Sequence, residues 1–312
     1  MNYIVMDLEW NQGMQVSEEL KQKIPFEIIE IGAVKLSENR TLISEFHRVI
    51  RPIIYKELFP VTQSLVPIEP EELNKGCSFS KAISDFFVWC SDGGETYSFC
   101  TWGNTDLTEL QRNMQYYKTK KIFTKPFFYY DVQKLFALQI EGKKIQKTLE
   151  YAVEYFGFEK KDEFHRALWD AEYTAKIFQK LDKNLIDRYY SIDCFHNPQN
   201  EEEEVFVNYG NYSKYISREF NTREDALSNP KIKQLNCFLC GRSIVRKIDW
   251  FSNNPKNYYC LGYCSKHGYL KGRIQVNRVD NGKRYIVKIV SRIGKEAARK
   301  LKLHYDEISE KK

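Results

Sequence analysis

Near the start of the chain, Tyr3-Ile4-Val5-Met6-Asp7-Leu8-Glu9-Trp10 is an apolar run ending in two carboxylates one residue apart. The run reads as a buried strand. Strand side chains alternate faces with period two, so Asp7 and Glu9 point one way and Leu8 the other. Carboxylates held that close repel, and a fold keeps them together where a cation or a proton lies between them. A hard divalent metal is the simplest occupant. Alone, such a pair reads as a solvated strand end; its company along the chain changes that reading. Asp106 follows a strand-like segment at 96–100 and a Trp102-Gly103 turn, and it opens a helical stretch with apolar residues at Leu107, Leu110 and Met114. His165 and Asp170 stand in Phe164-His165-Arg166-Ala167-Leu168-Trp169-Asp170-Ala171, at the head of another helix. Three separate segments each deliver an acid at the end of an element.

The spacing of the last pair has a geometric consequence. Five residues of regular helix turn through about 500°, so His165 and Asp170 on one continuous helix would face different sides. His165 is therefore expected on the loop or first turn leading into the helix.

Asp7-x-Glu9 on a first strand, Asp106 after a Trp-Gly turn, and His165 separated from Asp170 by four residues together resemble the DEDDh 3′-5′ exonuclease superfamily, in its proofreading-subunit and RNase T group. The stretches DLEWNQ (7–12), EIIEIGAV (27–34) and TWGNTD (101–106) are most similar to the KapD and Eri-type branch, whose best-known members trim RNA. The resemblance covers about residues 1–182. It implies an α/β, RNase H-like fold, a mixed sheet flanked by helices. It also implies that Asp7, Glu9 and Asp170 hold one Mg²⁺ or Mn²⁺, and that Asp7 with Asp106 holds a second. His165 would take the proton from the attacking water, work that the ordinary pKa of an imidazole suits. The substrate implied is the 3′ end of a single-stranded nucleic acid, RNA favoured over DNA, with a 5′-mononucleotide released each turn. A DNA exonuclease of the repair or proofreading type stays open, as does a non-catalytic nucleic-acid-binding or regulatory adaptor on the same fold.

The elements that must position these groups are legible in outline. Residues 26–34 and 43–50 read as two further strands, forming an antiparallel meander with the first. Residues 52–75, with four prolines, read as loop with short helical pieces, and residues 79–89 as an amphipathic helix covering the sheet. A strand at 127–132 carries Asp131, which is read as structural because the three acidic motifs are already filled; a helix follows at 149–156. Trp10 is either a core aromatic or a platform for the terminal base, and its place directly after the acidic pair favours the platform.

At 312 residues the chain is long enough for two domains, and 42% hydrophobic residues with 15% aromatic suffice for a real core. From residue 205 onward there are 23 Lys and Arg against 9 Asp and Glu, which leaves 25 against 33 before it; the two parts carry +14 and −8 within the total of +6. An acidic front and a basic rear suggest metal-binding catalysis in one and polyanion binding in the other. The division expected is an exonuclease domain at 1–182, an acidic linker at 183–204 carrying the Glu201-Glu202-Glu203-Glu204 run, and a basic nucleic-acid-binding domain at 205–312.

Of the eight cysteines, Cys77, Cys90, Cys100 and Cys194 are scattered, whereas Cys237, Cys240, Cys260 and Cys264 cluster. No secretory leader precedes the first strand and no run approaches membrane-spanning length, so the protein reads as cytoplasmic and the cluster as metal ligands rather than disulfides. Cys237-x₂-Cys240 and Cys260-x₃-Cys264, with Gly241 and Gly262 for tight turns, predict a zinc ribbon holding one structural Zn²⁺; His267 is an alternative to Cys264. Beyond it, alternating residues at 273–279 and 284–290 around Asp280-Asn281-Gly282 predict a hairpin, and residues 295–302 a basic helix.

Overall fold

The structure is a computed structural model, describing residues 1–13, 16–142, 145–160, 164–279 and 281–310. The chain divides into two compact units, Met1–Phe195 and His196–Lys312.

In chain order the first unit contains β1 (Asn2–Asn11), α1 (Glu18–Lys23), β2 (Glu27–Leu36), β3 (Leu42–Val49), α2 (Pro60–Leu65), α3 (Pro70–Lys75), α4 (Phe79–Ser91), β4 (Tyr97–Thr101), α5 (Thr105–Tyr116), β5 (Phe127–Asp131), α6 (Val132–Glu141), α7 (Leu149–Tyr155), α8 (Ala167–Lys180), α9 (Lys183–Arg188) and β6 (Ser191–Asp193). Its sheet has the order β3-β2-β1-β4-β5-β6. The β1–β2–β3 meander is antiparallel, β4 and β5 add in parallel, and β6 closes the far edge antiparallel to β5. Both faces are covered, as the period-two alternation of β1 requires. Ile4, Met6 and Leu8 pack with Phe79, Ile83 and Phe86 of α4 and with Leu107 and Leu110 of α5. Tyr3 and Val5 pack on the other side with Leu135 and Phe136 of α6, Ala152 and Val153 of α7, and Ala171 and Phe178 of α8. This is the mixed sheet flanked by helices of an RNase H-like fold. The segment expected as an acidic linker begins instead inside this unit: α9 and β6 carry Ile186 into its core and Ser191–Asp193 into its sheet.

The second unit contains β7 (Val205–Asn208), β8 (Tyr212–Ile216), α10 (Arg223–Ser228), α11 (Pro230–Lys233), β9 (Arg246–Asn254), β10 (Asn257–Cys264), β11 (Gly268–Arg278), β12 (Arg284–Arg292) and α12 (Lys295–Ser309). Its six strands form one antiparallel sheet in the order β7-β8-β12-β11-β10-β9. The β11–β12 hairpin joins Arg278 to Arg284 in register; Asp280 of its turn lies outside the described residues. The basic helix extends to Ser309 as α12, laying Ala298 and Leu301 on Ile248, Phe251 and Leu261 of β9 and β10. No helix among the described residues is long and apolar enough to cross a membrane.

Candidate active site

Asp7 and Glu9 sit on the α8 side of β1, opposite Gly32 and Glu30 of β2. Immediately beyond Glu9 the β1–β2 register shifts, a bulge after which Trp10 pairs with Ile28. Asp106 is the second residue of α5 and is buried; its carboxylate accepts hydrogen bonds from its own amide and from that of Leu8. Asp170 lies in the first turn of α8, 7% exposed.

His165 precedes α8, whose N-cap is Arg166, and adopts a left-handed backbone with φ 69°. Few non-glycine residues take this conformation without something holding them there. Here the His165 amide donates to Asp170 Oδ2 at 3.2 Å. The loop position expected from the spacing thus has a local cause, and ligand atoms of Glu9, His165 and Asp170 lie within 4.8 Å of one another.

The electrostatics follow from this crowding. Burial first, then the charges of Asp106, Glu9 and Asp170, push the Asp7 carboxyl well above the usual range. Burial and the neighbouring Asp170 raise Glu9 to about 9. Burial raises Asp106 and Asp170 to about 7, against the hydrogen bonds each accepts from backbone amides. Asp170 Oδ1 is buried and meets no hydrogen-bond donor among the described residues. Carboxyls whose crowding and burial oppose ionisation, one of them with an orphaned oxygen, are a ligand set whose charge a hard divalent cation would compensate.

Two residues that spacing did not reveal hold this arrangement. The Glu30 side chain is fully buried and accepts hydrogen bonds from Arg166 Nε at 2.9 Å, the Ala167 amide at 3.1 Å and His47 Nε2 at 2.5 Å. Burial opposes its charge, but the bonds from His47, Arg166 and Ala167 prevail and hold its carboxyl below the usual range. Glu30 therefore ties the head of α8 to β2. Gly32 makes the approach possible, because a Cβ there would lie 2.0 Å from the Leu168 nitrogen and 2.1 Å from the Ala167 carbonyl carbon. A carboxylate inside the otherwise apolar 28–34 run was the available signal for Glu30.

The remaining candidates fall elsewhere. Trp10 is partly buried against the core with its ring 5.6 Å from Phe26, outside the carboxylate cluster. Asp131 caps α6, its Oδ1 accepting from the Lys134 amide at 2.9 Å. In the second unit the cysteine grouping needs a correction. Cys237, Cys240 and Cys264 gather with His267, and Cys260 does not join them. Cys260 and Cys264 are on one strand, and four residues of strand span about 13 Å, too far for one metal. Cys260 instead lies over Gly272 of β11, where a Cβ would come within 2.5 Å of its sulfur. His267 thus stands in for Cys260, not for Cys264. Gly262, expected in a turn, lies within β10, where its missing side chain makes room for Leu235 and Ile244.

The exonuclease family (RNase T) matches residues 4–178, more than half of the chain and nearly all of the first unit. The chain belongs to this family. As an exonuclease it is a metal-dependent hydrolase, and the carboxylate cluster lies within the matched residues. Among solved structures, the exonuclease resembles the nuclease domain of 3′hExo, described as a DEDDh family member bound to rAMP. The TM-score is 0.52 at 20% identity, over 61% of this chain and 96% of that one. It also resembles a 3′-exonuclease solved in recognition of the histone mRNA stem-loop, with TM-score 0.50 at 19% identity, over 57% of this chain and 80% of that one. At such identities the likeness is one of fold. No curated protein matches the exonuclease significantly.

Proposed function

We propose that the protein is a two-metal-ion 3′-5′ exonuclease that removes 5′-mononucleotides from single-stranded ends, with RNA preferred to DNA. The observation that carries this reading is the convergence of four carboxylates from three elements, Asp7 and Glu9 of β1, Asp106 of α5 and Asp170 of α8, with His165 within 4.8 Å of Glu9 and Asp170. Asp7, Glu9 and Asp170 would hold one Mg²⁺ or Mn²⁺, and Asp7 with Asp106 a second. Such a pair supplies charge stabilisation for the attacking and leaving oxygens of an in-line displacement.

The chain's own groups do the rest. His165, on its loop, would accept the proton of the attacking water, while Asp170 Oδ2 fixes the backbone that carries the imidazole. Glu30 and Arg166 keep that loop against β2. The part of Trp10 left in solvent would stack on the 3′-terminal base. That the two solved structures named above are described with an mRNA stem-loop and with rAMP supports the RNA preference, as does the similarity of DLEWNQ, EIIEIGAV and TWGNTD to the RNA-trimming branch.

The second unit would bind the nucleic-acid backbone. A cleft beside α12 is lined by Lys247, Lys295, Arg299 and Lys302 together with Tyr263 and Tyr269, cations for phosphates and rings for bases.

The test is a gel of 5′-labelled single-stranded RNA and DNA of one sequence, each with Mg²⁺, with Mn²⁺ and with chelator. A metal-dependent ladder shortening from the 3′ end, faster on RNA, is expected. Equal ladders would remove the RNA preference. Binding without shortening would favour the adaptor.

A further inference from the structure

The cysteine–histidine cluster of the second unit is separate from the carboxylate site and owes nothing to the exonuclease reading. Cys237 and Cys240 lie on the loop between α11 and β9; Cys264 ends β10, and His267 is the last residue before β11. The pattern is therefore Cys-x₂-Cys followed by Cys-x₂-His, two knuckles of equal length.

The two knuckles are built alike beyond their spacing. The Cys237 sulfur accepts hydrogen bonds from the amides of Leu239 and Cys240, and the Cys264 sulfur from the amides of Lys266 and His267, at i+2 and i+3 in each case. Each knuckle ends in a left-handed glycine four residues after its first cysteine, Gly241 with φ 71° and Gly268 with φ 81°. The glycine conformation lets the chain double back under the ligand. Two unrelated segments converging on one such geometry need a common cause.

The distances identify it. Zinc holds sulfur at about 2.3 Å and imidazole nitrogen at about 2.0–2.1 Å in a tetrahedron, which sets S···S edges of about 3.8 Å and S···N edges of about 3.6 Å. The Cys240 and Cys264 sulfurs are 3.9 Å apart. His267 Nδ1 lies 3.4 Å from the Cys237 sulfur and 3.7 Å from that of Cys264. All four ligand atoms lie within 4.8 Å of one another. At 3.9 Å the sulfurs are far beyond the roughly 2.05 Å of a disulfide.

We propose that Cys237, Cys240, Cys264 and His267 bind one Zn²⁺ through three thiolate sulfurs and His267 Nδ1, with Cys260 excluded. Binding displaces the thiol protons, and the bound ion fastens the loop preceding β9 to the β10–β11 turn. A soft, three-sulfur, one-nitrogen tetrahedron suits zinc and does not suit the hard cation of a carboxylate site.

The experiment is metal analysis of the full chain carrying Asp7→Asn with Asp170→Asn, which takes ligands from the carboxylate site and breaks the Glu9–His165–Asp170 grouping, purified without chelator. One zinc per chain is expected. Cys260→Ala should keep it, and Cys240→Ser and Cys264→Ser should each lose it. Since the loss variants can fail by misfolding, His267→Cys provides the check. It should keep one zinc, and with cobalt(II) in its place the absorption should change from a three-thiolate to a four-thiolate pattern. Absence of zinc from the parent, loss of zinc in Cys260→Ala, or an unchanged cobalt spectrum in His267→Cys would overturn the assignment.

Discussion

The raised carboxyls at Asp7, Glu9, Asp106 and Asp170 tie metal binding to stability. Each has a folded-state pKa above its unfolded value, so each contributes stability that is complete below pH about 4 and is lost as pH rises through the folded value. Those values are about 7 for Asp106 and Asp170 and about 9 for Glu9. Depressed carboxyls such as Glu30 act with opposite sign, but their contribution is already complete by pH 5. With chelator present, the melting temperature of the first unit should therefore fall between pH 5 and pH 9, and Mn²⁺ should restore it most at the alkaline end. Glu9→Gln should flatten the slope. Thermal melts across that range decide it, and a melting temperature that rose with pH would count against the clustered charges. Legibility divides at this scale. Asp7, Glu9, Asp106 and Asp170 were readable because their residue type and their place at element ends are local facts. Glu30 was hard to find because its role lies in a contact with Arg166 and Ala167, well over a hundred residues away.

At the scale of elements, the carboxylate site exists because α8 can rest its first turn directly on β2. Gly32 is the position that permits this. Gly32→Ala would drive a methyl group into the Ala167–Leu168 backbone and displace Asp170 and His165 with it. A destabilisation of about 1–3 kcal/mol is expected, with turnover reduced further than folding alone explains. Urea unfolding alongside rate measurement checks it, and a variant of unchanged stability and rate would show that the helix docks some other way. Strand alternation and helix periodicity made β1, β2, α4 and the β11–β12 hairpin legible. They fail at β10, where Cys260 and Cys264 suggested a turn. Cys260-x₃-Cys264 looks like a metal knuckle in sequence, but its residues lie in an extended strand, and the second knuckle is completed three residues beyond Cys264 by His267.

At the scale of the whole molecule, the charge split at residue 205 follows the division into units closely, with the basic excess in the second. If that unit grips phosphates through Lys295, Arg299 and Lys302, Lys295→Glu with Arg299→Glu should weaken RNA binding and lower the slope of log affinity against log salt by about 2, roughly one per phosphate contact. Fluorescence anisotropy at several salt concentrations measures both, and an unchanged slope would move the binding surface elsewhere. The boundary itself was less legible than the charge. Lys183–Arg188 and Ser191–Asp193 look like solvated linker by composition, yet Ile186 enters the first unit's core and Ser191–Asp193 pair with β5 at its sheet edge, contacts that no local pattern announces.

The most direct measurement compares wild type, Asp170→Asn and His165→Ala for Mn²⁺ binding by calorimetry and for single-turnover shortening of RNA from its 3′ end. Asp170→Asn should lose a metal and the activity together. His165→Ala should retain the metals and slow the reaction by about 10²–10⁴, with its loss smallest at alkaline pH, where hydroxide replaces the missing base. A histidine variant that lost its metals or kept full speed, or an Asp170→Asn enzyme that still bound Mn²⁺ normally and cleaved, would contradict a site in which carboxylates hold the metals and His165 moves the proton.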